Sequence, residues 1–224
     1  MPRGATPTRV FLLSPAHLGG KRAALLLREE AAFPLAVRLR EPGGVALGET
    51  FSFLSGLYFR GKLAYALRFA RPPADTAGVQ VITANRGLLA ANAPVSTAEL
   101  RAFGSVDIHP DDPRYRAPLM WDVARLAEHR GLELVLLGSV STGKYVDVLL
   151  DVVGERLLFP TDFVGRGDMS RGALLLRSAR EGRELAYETV VGALARLRPR
   201  IRGAANDGGD QTRRGSGPDS RRPE

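Results

Sequence analysis

Short apolar runs alternate along the chain with turn-forming residues, and the spacing of the apolar positions switches between strand-like and helix-like. Thr8 to Leu13 (TRVFLL) is a continuous apolar run that stops at Ser14-Pro15 and Gly19-Gly20, which predicts a buried strand. The following KRAALLLREEAAF has helical composition. Phe33 to Leu39 alternates apolar with small or charged residues and predicts a second strand before the Pro42-Gly43-Gly44 turn. Residues 51–70 are dense in apolar and aromatic side chains, interrupted by Gly56 and Gly61, which predicts two short helices rather than one long one. Val79 to Thr83 predicts a strand.

Later boundaries carry capping signals. Ser96-Thr97-Ala98-Glu99 has the spacing of a capping box, so a helix should begin near Thr97. Asp112-Pro113 predicts another start, because Asp can cap and Pro is tolerated in a first turn that needs no donor. That helix carries Leu119, Met120, Val123, Leu126 and Ala127 on one face and ends at Gly131. Glu133 to Leu137 (ELVLL) predicts a strand, Tyr145 to Val153 a helix, and Arg156 to Phe159 a strand stopped by Pro160. Ala173 to Arg177 and Glu184 to Val190 flank Glu181-Gly182 and predict a terminal hairpin. Strands alternating with helices predict an α/β fold, a single domain with a mostly parallel or mixed central sheet flanked by helices. The expected organisation is a flexible N-terminus over 1–7, the α/β domain over 8–195, and a disordered Arg-rich tail over 196–224. Beyond Pro199 the chain is rich in Gly, Asp, Arg and Ser without apolar spacing, which cannot offset the entropy of folding.

The chain has 224 residues, 44% of them hydrophobic, enough for one core and too few for two. No apolar run approaches the ~20 residues that cross a bilayer, so no membrane partner and a cytoplasmic location are expected. With no cysteine there is no disulfide framework, thiolate zinc site or cysteine nucleophile. The net charge of +8 makes nucleic acid or a small anionic ligand the expected partner. Half of it lies in 196–224, where eight arginines face four acids. His17, His109 and His129 lack metal-ligand spacing, and neither a metal nor a cofactor is expected.

Gly138-Ser139-Val140-Ser141-Thr142-Gly143-Lys144 matches GxxxxGK between a predicted strand and a predicted helix, the context in which backbone amides cradle a phosphate. Tyr145 stands where the magnesium-ligating Ser or Thr belongs, so triphosphatase chemistry is not expected. An anion-binding turn and a plain connecting turn are both compatible with the segment. Only Lys21, Lys62 and Lys144 are lysines among 32 cationic residues, and each follows a glycine. In a chain that otherwise uses Arg, these mark places where a compact ammonium, or an amine able to lose its proton, is useful. Asp162 to Arg171 (DFVGRGDMSR) sets Asp162, Arg166, Asp168 and Arg171 around Gly165 and Gly167, able either to bind an anion or to form an exposed loop held by its own ion pairs.

Four segments, LLSPAHLGGKRA (12–23), SGLYFRGKLAYALRF (55–69), VQVITANRGLL (79–89) and LVLLGSVSTGKYVDVLL (134–150), together resemble the YaaA family of bacterial peroxide-stress proteins and its relatives. The resemblance implies a compact α/β fold and a DNA-binding role connected with protection from oxidative damage. It carries over Ser14, Lys21, Tyr58, Lys62, Gly87, Lys144 and Tyr145 as ligand-binding candidates. Gly143, Asp162, Arg166, Asp168 and Arg171 join them from the residue chemistry. Two functions follow: a nucleic-acid-binding protein, or an enzyme acting on a nucleobase, nucleotide or similar small anionic substrate through a Lys/Asp/Arg pocket. A third reading, a scaffold with a basic interaction tail, needs neither. The first needs basic residues spread along a face; the second needs a concave pocket with convergent polar groups.

Overall fold

The structure, a computed structural model, describes residues 7–140 and 143–194. The expected tail over 196–224 and most of the expected flexible N-terminus lie outside these residues. Eight strands and eight α-helices with both ends described are joined by two short 3-10 turns, residues 190–194 are helical as well, and a central six-stranded mixed sheet runs through one hydrophobic core. Strand β1 (Arg9–Leu13) is buried along its whole length, as a strand covered on both faces must be. After it come α1 (Lys21–Leu26), α2 (Pro34–Arg40), the short β2 (Val45–Ala46), α3 (Leu47–Ser55) and α4 (Leu57–Phe69). Then follow β3 (Val79–Ile82), β4 (Leu88–Ala90), β5 (Pro94–Val95), α5 (Thr97–Gly104) and α6 (Pro113–Ala127). The chain continues through β6 (Glu133–Leu137), α7 (Val146–Val153), β7 (Leu157–Pro160), α8 (Asp168–Glu181) and β8 (Tyr187–Thr189).

The sheet order is β4-β3-β1-β6-β7-β8. Strands β3, β1, β6 and β7 are parallel, while β4 and β8 close the two edges antiparallel. The chain steps from β1 to β3 in one direction, then crosses back over β1 to β6 and continues to β7. Right-handed crossovers place the connections before and after the reversal on opposite faces. Accordingly α4 packs on α8, and α6 packs on α7. The reversal lies between β1 and β6, where the loops leaving the carboxyl ends diverge and open a crevice.

Local signals explain most boundaries. Ser96 and Glu99 form the complete capping box of α5, and the Asp112 carboxylate accepts from Arg114 N at the start of α6. Two expectations are corrected. Phe33 to Leu39 is no strand: Pro34, with its φ fixed, opens α2, and Ala36 and Leu39 are buried three apart while Val37 is exposed. Ala173 to Arg177 lies inside α8, whose buried Gly172, Leu175 and Ser178 recur every third residue, so the terminal hairpin is replaced by β8 pairing with β7. Gly56, at φ 64°, breaks the chain between α3 and α4 as expected, whereas Gly61 sits inside α4 and interrupts nothing.

Candidate functional site

At the carboxyl end of β1, Ser14 is bonded through its amide to Leu137 O of β6 at 3.2 Å. From α4, Lys62 reaches the same point with only 1% of its surface exposed. Its Nζ donates to Ser14 O at 2.6 Å and lies 2.8 Å from Ser14 Oγ, to which it also donates. The Tyr58 and Phe59 rings, one turn earlier on the same helix, face Nζ with centroids at 4.6 and 4.9 Å. Burial lowers the Lys62 pKa from 10.5 to about 7, with the Asp168 carboxylate acting in the opposite direction. Near neutrality this amine therefore exists in both protonation states, which suits it to take and return a proton.

The surroundings are aromatic and sparsely charged. Burial pushes the Tyr58 and Tyr145 hydroxyls up to about 12, and Asp168 adds to both shifts. Tyr58 Oη is buried without a hydrogen-bond partner, although the Arg171 guanidinium lies near enough to favour its ionised form. Arg171 is itself held inward by bonds from Nε and Nη2 to Phe163 O at 3.2 and 3.1 Å. Helix α8 begins at Asp168 and brings both charged groups to this cluster because Gly172 packs against the backbone of Tyr58.

A concave pocket of about 340 Å³ opens over the crevice at the reversal. The turn Pro15–Gly19 after β1 forms one side, Thr83 and Ala84 after β3 another, and Lys144 and Tyr145 after β6 a third. Phe51 of α3, Phe103 of α5 and the 106–108 segment complete it, with Asp107 as its acidic group. Tyr115 of α6 fixes the Lys144 side by donating from its hydroxyl to Lys144 O at 3.0 Å.

The chain matches no protein-family model, and no curated protein or solved structure matches it.

The structure gathers Ser14, Tyr58 and Lys62 into one cluster, with Asp168 and Arg171 beside it and Tyr145 linking it to the pocket that Lys144 lines. The other candidates lie elsewhere. Lys21 opens α1 and lines a separate shallow depression with His17 and Gly20, so the three lysines do not share one cleft. Gly87, at φ 59°, packs against Pro118 and the Asp122 carboxylate of α6, where a side chain would collide. Arg166 donates to Asp162 O at 2.8 Å and to Ser170 Oγ at 3.3 Å, closing an exposed turn on itself. Gly143 adopts φ 66° with the Asp147 carboxylate against it, so an acid already meets the positive end of α7. Among the described residues, no group of three His, Cys, Asp or Glu side chains is placed to hold a metal ion.

Sequence reasoning passed over Phe51, Thr83, Phe103 and Asp107. The Ser14-Pro15 stop directly after a buried strand marks the turn beside them. These residues come from segments whose convergence depends on the crossovers, and no local pattern marks them.

Proposed function

We propose that this chain is an enzyme acting on a small anionic molecule of nucleobase or nucleotide size bound in the pocket at the sheet reversal. The observation that carries this reading is the buried amine of Lys62, bonded to the residue that immediately precedes the pocket wall. A buried lysine whose ammonium is disfavoured opposes folding near neutral pH, and amines perturbed in this way recur at sites of proton transfer. The pocket volume lies within the ~300–1,000 Å³ range of small-molecule sites. The phenyl rings of Phe51 and Phe103 suit a planar ring, while Thr83 and Asp107 offer polar contacts. Among the described residues no carboxylate forms an ion pair with Lys144, which leaves its charge for an anionic substituent.

The charge distribution favours a pocket over a phosphate-tracking face. Arg9, Arg38, Arg71, Arg86, Arg114, Arg116 and Arg183 are each paired with a carboxylate, so these seven cations are neutralised locally. Among the described residues no helix is long and apolar enough to cross a membrane.

Thermal-shift and calorimetric titration with nucleosides, nucleoside monophosphates and inorganic phosphate tests the reading. At least one nucleoside monophosphate should bind, and Lys144→Ala should weaken it roughly tenfold or more, the loss expected for a charge-assisted contact. Binding by none of these compounds, or binding indifferent to Lys144→Ala, would contradict it.

A further inference from the structure

We propose that Ser14 Oγ is a nucleophile activated by Lys62, and that the pocket carries out acyl transfer from a small anionic ester or amide to this hydroxyl and then to water. The inference rests on the enzymatic reading above and gives it a reaction class. Two acceptors compete for the Ser14 hydroxyl proton: Leu137 O at 3.4 Å, and the Lys62 nitrogen at 2.8 Å whenever its lone pair is free. The shorter contact prevails once the amine is neutral, and burial at this site brings that state within reach near pH 7. Ser14 keeps 6% of its surface and adjoins Pro15, the first residue of the pocket wall. On the other side of Ser14, a Cβ on Gly138 would come within 3.0 Å of Ser14 Cβ and 3.2 Å of Oγ. Glycine there avoids crowding the Ser14 side chain.

Oγ attacks the acyl carbon while its proton passes to Nζ; the leaving group departs with the bonding pair and takes that proton. Water then attacks the Ser14 ester and gives a proton to Nζ, and Oγ leaves with its electron pair and recovers it. The ammonium formed in each half faces the Tyr58 and Phe59 rings and is favoured at longer range by the negative charge of Asp168. Tyr58 on the same helix, Asp168 and Arg171 on α8, and Tyr145 ahead of α7 are the titratable and charged groups around the amine. The two tyrosines, with pKa values of about 12, stay protonated through the neutral range.

A fluorophosphonate, which mimics the attacked acyl centre and releases fluoride, tests the step on the full chain by intact mass and peptide mapping. One phosphonyl group should appear on Ser14, at a rate that rises with pH about a midpoint near 7. Lys62→Met should slow labelling by roughly 100-fold, in the range of general-base contributions, and Lys62→Arg should not restore it. Unchanged near-ultraviolet circular dichroism and retention of a single cooperative thermal transition separate this from misfolding. The wild-type result decides by itself if the variants do not fold: absence of the Ser14 adduct, or a rate flat across pH 6–9, overturns the nucleophile. Nucleotide binding without labelling overturns this inference alone, whereas labelling without binding of any anionic compound overturns the substrate class and retains the nucleophile.

Discussion

Lys62 combines a long apolar stem with a basic end, and α4 carries it into the core where Ser14 takes both of its bonds. Because its folded-state pKa lies below its unfolded value, the folded protein binds one proton fewer between about pH 7 and 10.5. Stability therefore rises with pH through that window, and the penalty is complete below it. The difference corresponds to on the order of 4 kcal/mol. In Lys62→Met this contribution is absent, so its stability relative to wild type should fall by that order as pH is raised from 7 to 10.5. Parallel pH curves from denaturant unfolding of the two proteins would rule out a depressed Lys62. The Gly-Lys pairs singled out all three lysines equally. What sets Lys62 apart is a partner 48 residues away, a tertiary relation that spacing does not encode.

Helices α4 and α8 position the site through two glycines. A Cβ on Gly61 would lie 2.6 Å from Gly172 O, and one on Gly172 would lie 2.9 Å from the Tyr58 Cα. Both obstacles are backbone, so neither can rotate away. Gly172→Ala should cost about 2 kcal/mol or more despite the better helix propensity of Ala, as overpacked helix contacts do. Gly167→Ala, facing open space at the start of α8, should change stability by less than about 0.5 kcal/mol. Chemical denaturation of both variants checks this, and equal effects would refute the close crossing. Gly61 illustrates the limit of local reading: an interrupting glycine and a helix-contact glycine look alike until the partner is known. The ALLLR run of α8 likewise fits a strand or a helix, and burial at 172, 175 and 178 against α4 decides for the helix.

At the scale of the molecule, the two ends of the sheet do different work. At the amino ends of β1 and β6, Arg9 pairs with Glu133 and Glu184, Arg71 also bonds Glu184, and Tyr187 receives Arg9 on its ring face at 4.5 Å. This network ties β8 and its preceding loop to the central strands. At the carboxyl ends, the reversal between β1 and β6 leaves the crevice that holds the pocket, with Ser14 adjoining Pro15 of its wall and Lys62 bonded to Ser14. The α/β class was legible because TRVFLL and ELVLL are apolar throughout and capping residues punctuate the helices between them. Of the candidate site, the Gly-Lys pairs marked Lys62 and Lys144, whereas Ser14 and Tyr145 were marked only by the family resemblance. The pocket walls were not, since they come from loops that only the crossover order brings together.

Lys62 is proposed as an amine that changes its charge near neutral pH beside Ser14. A chain with three lysines lets this be observed directly, since protein labelled with ¹³C at lysine Cε should give three side-chain signals. Their chemical shifts should be followed from pH 5 to 11, with Lys62→Met identifying the signal that belongs to the site. One signal titrating with a midpoint near 7, absent from Lys62→Met, is the predicted result; three signals all titrating above pH 10 would contradict the account.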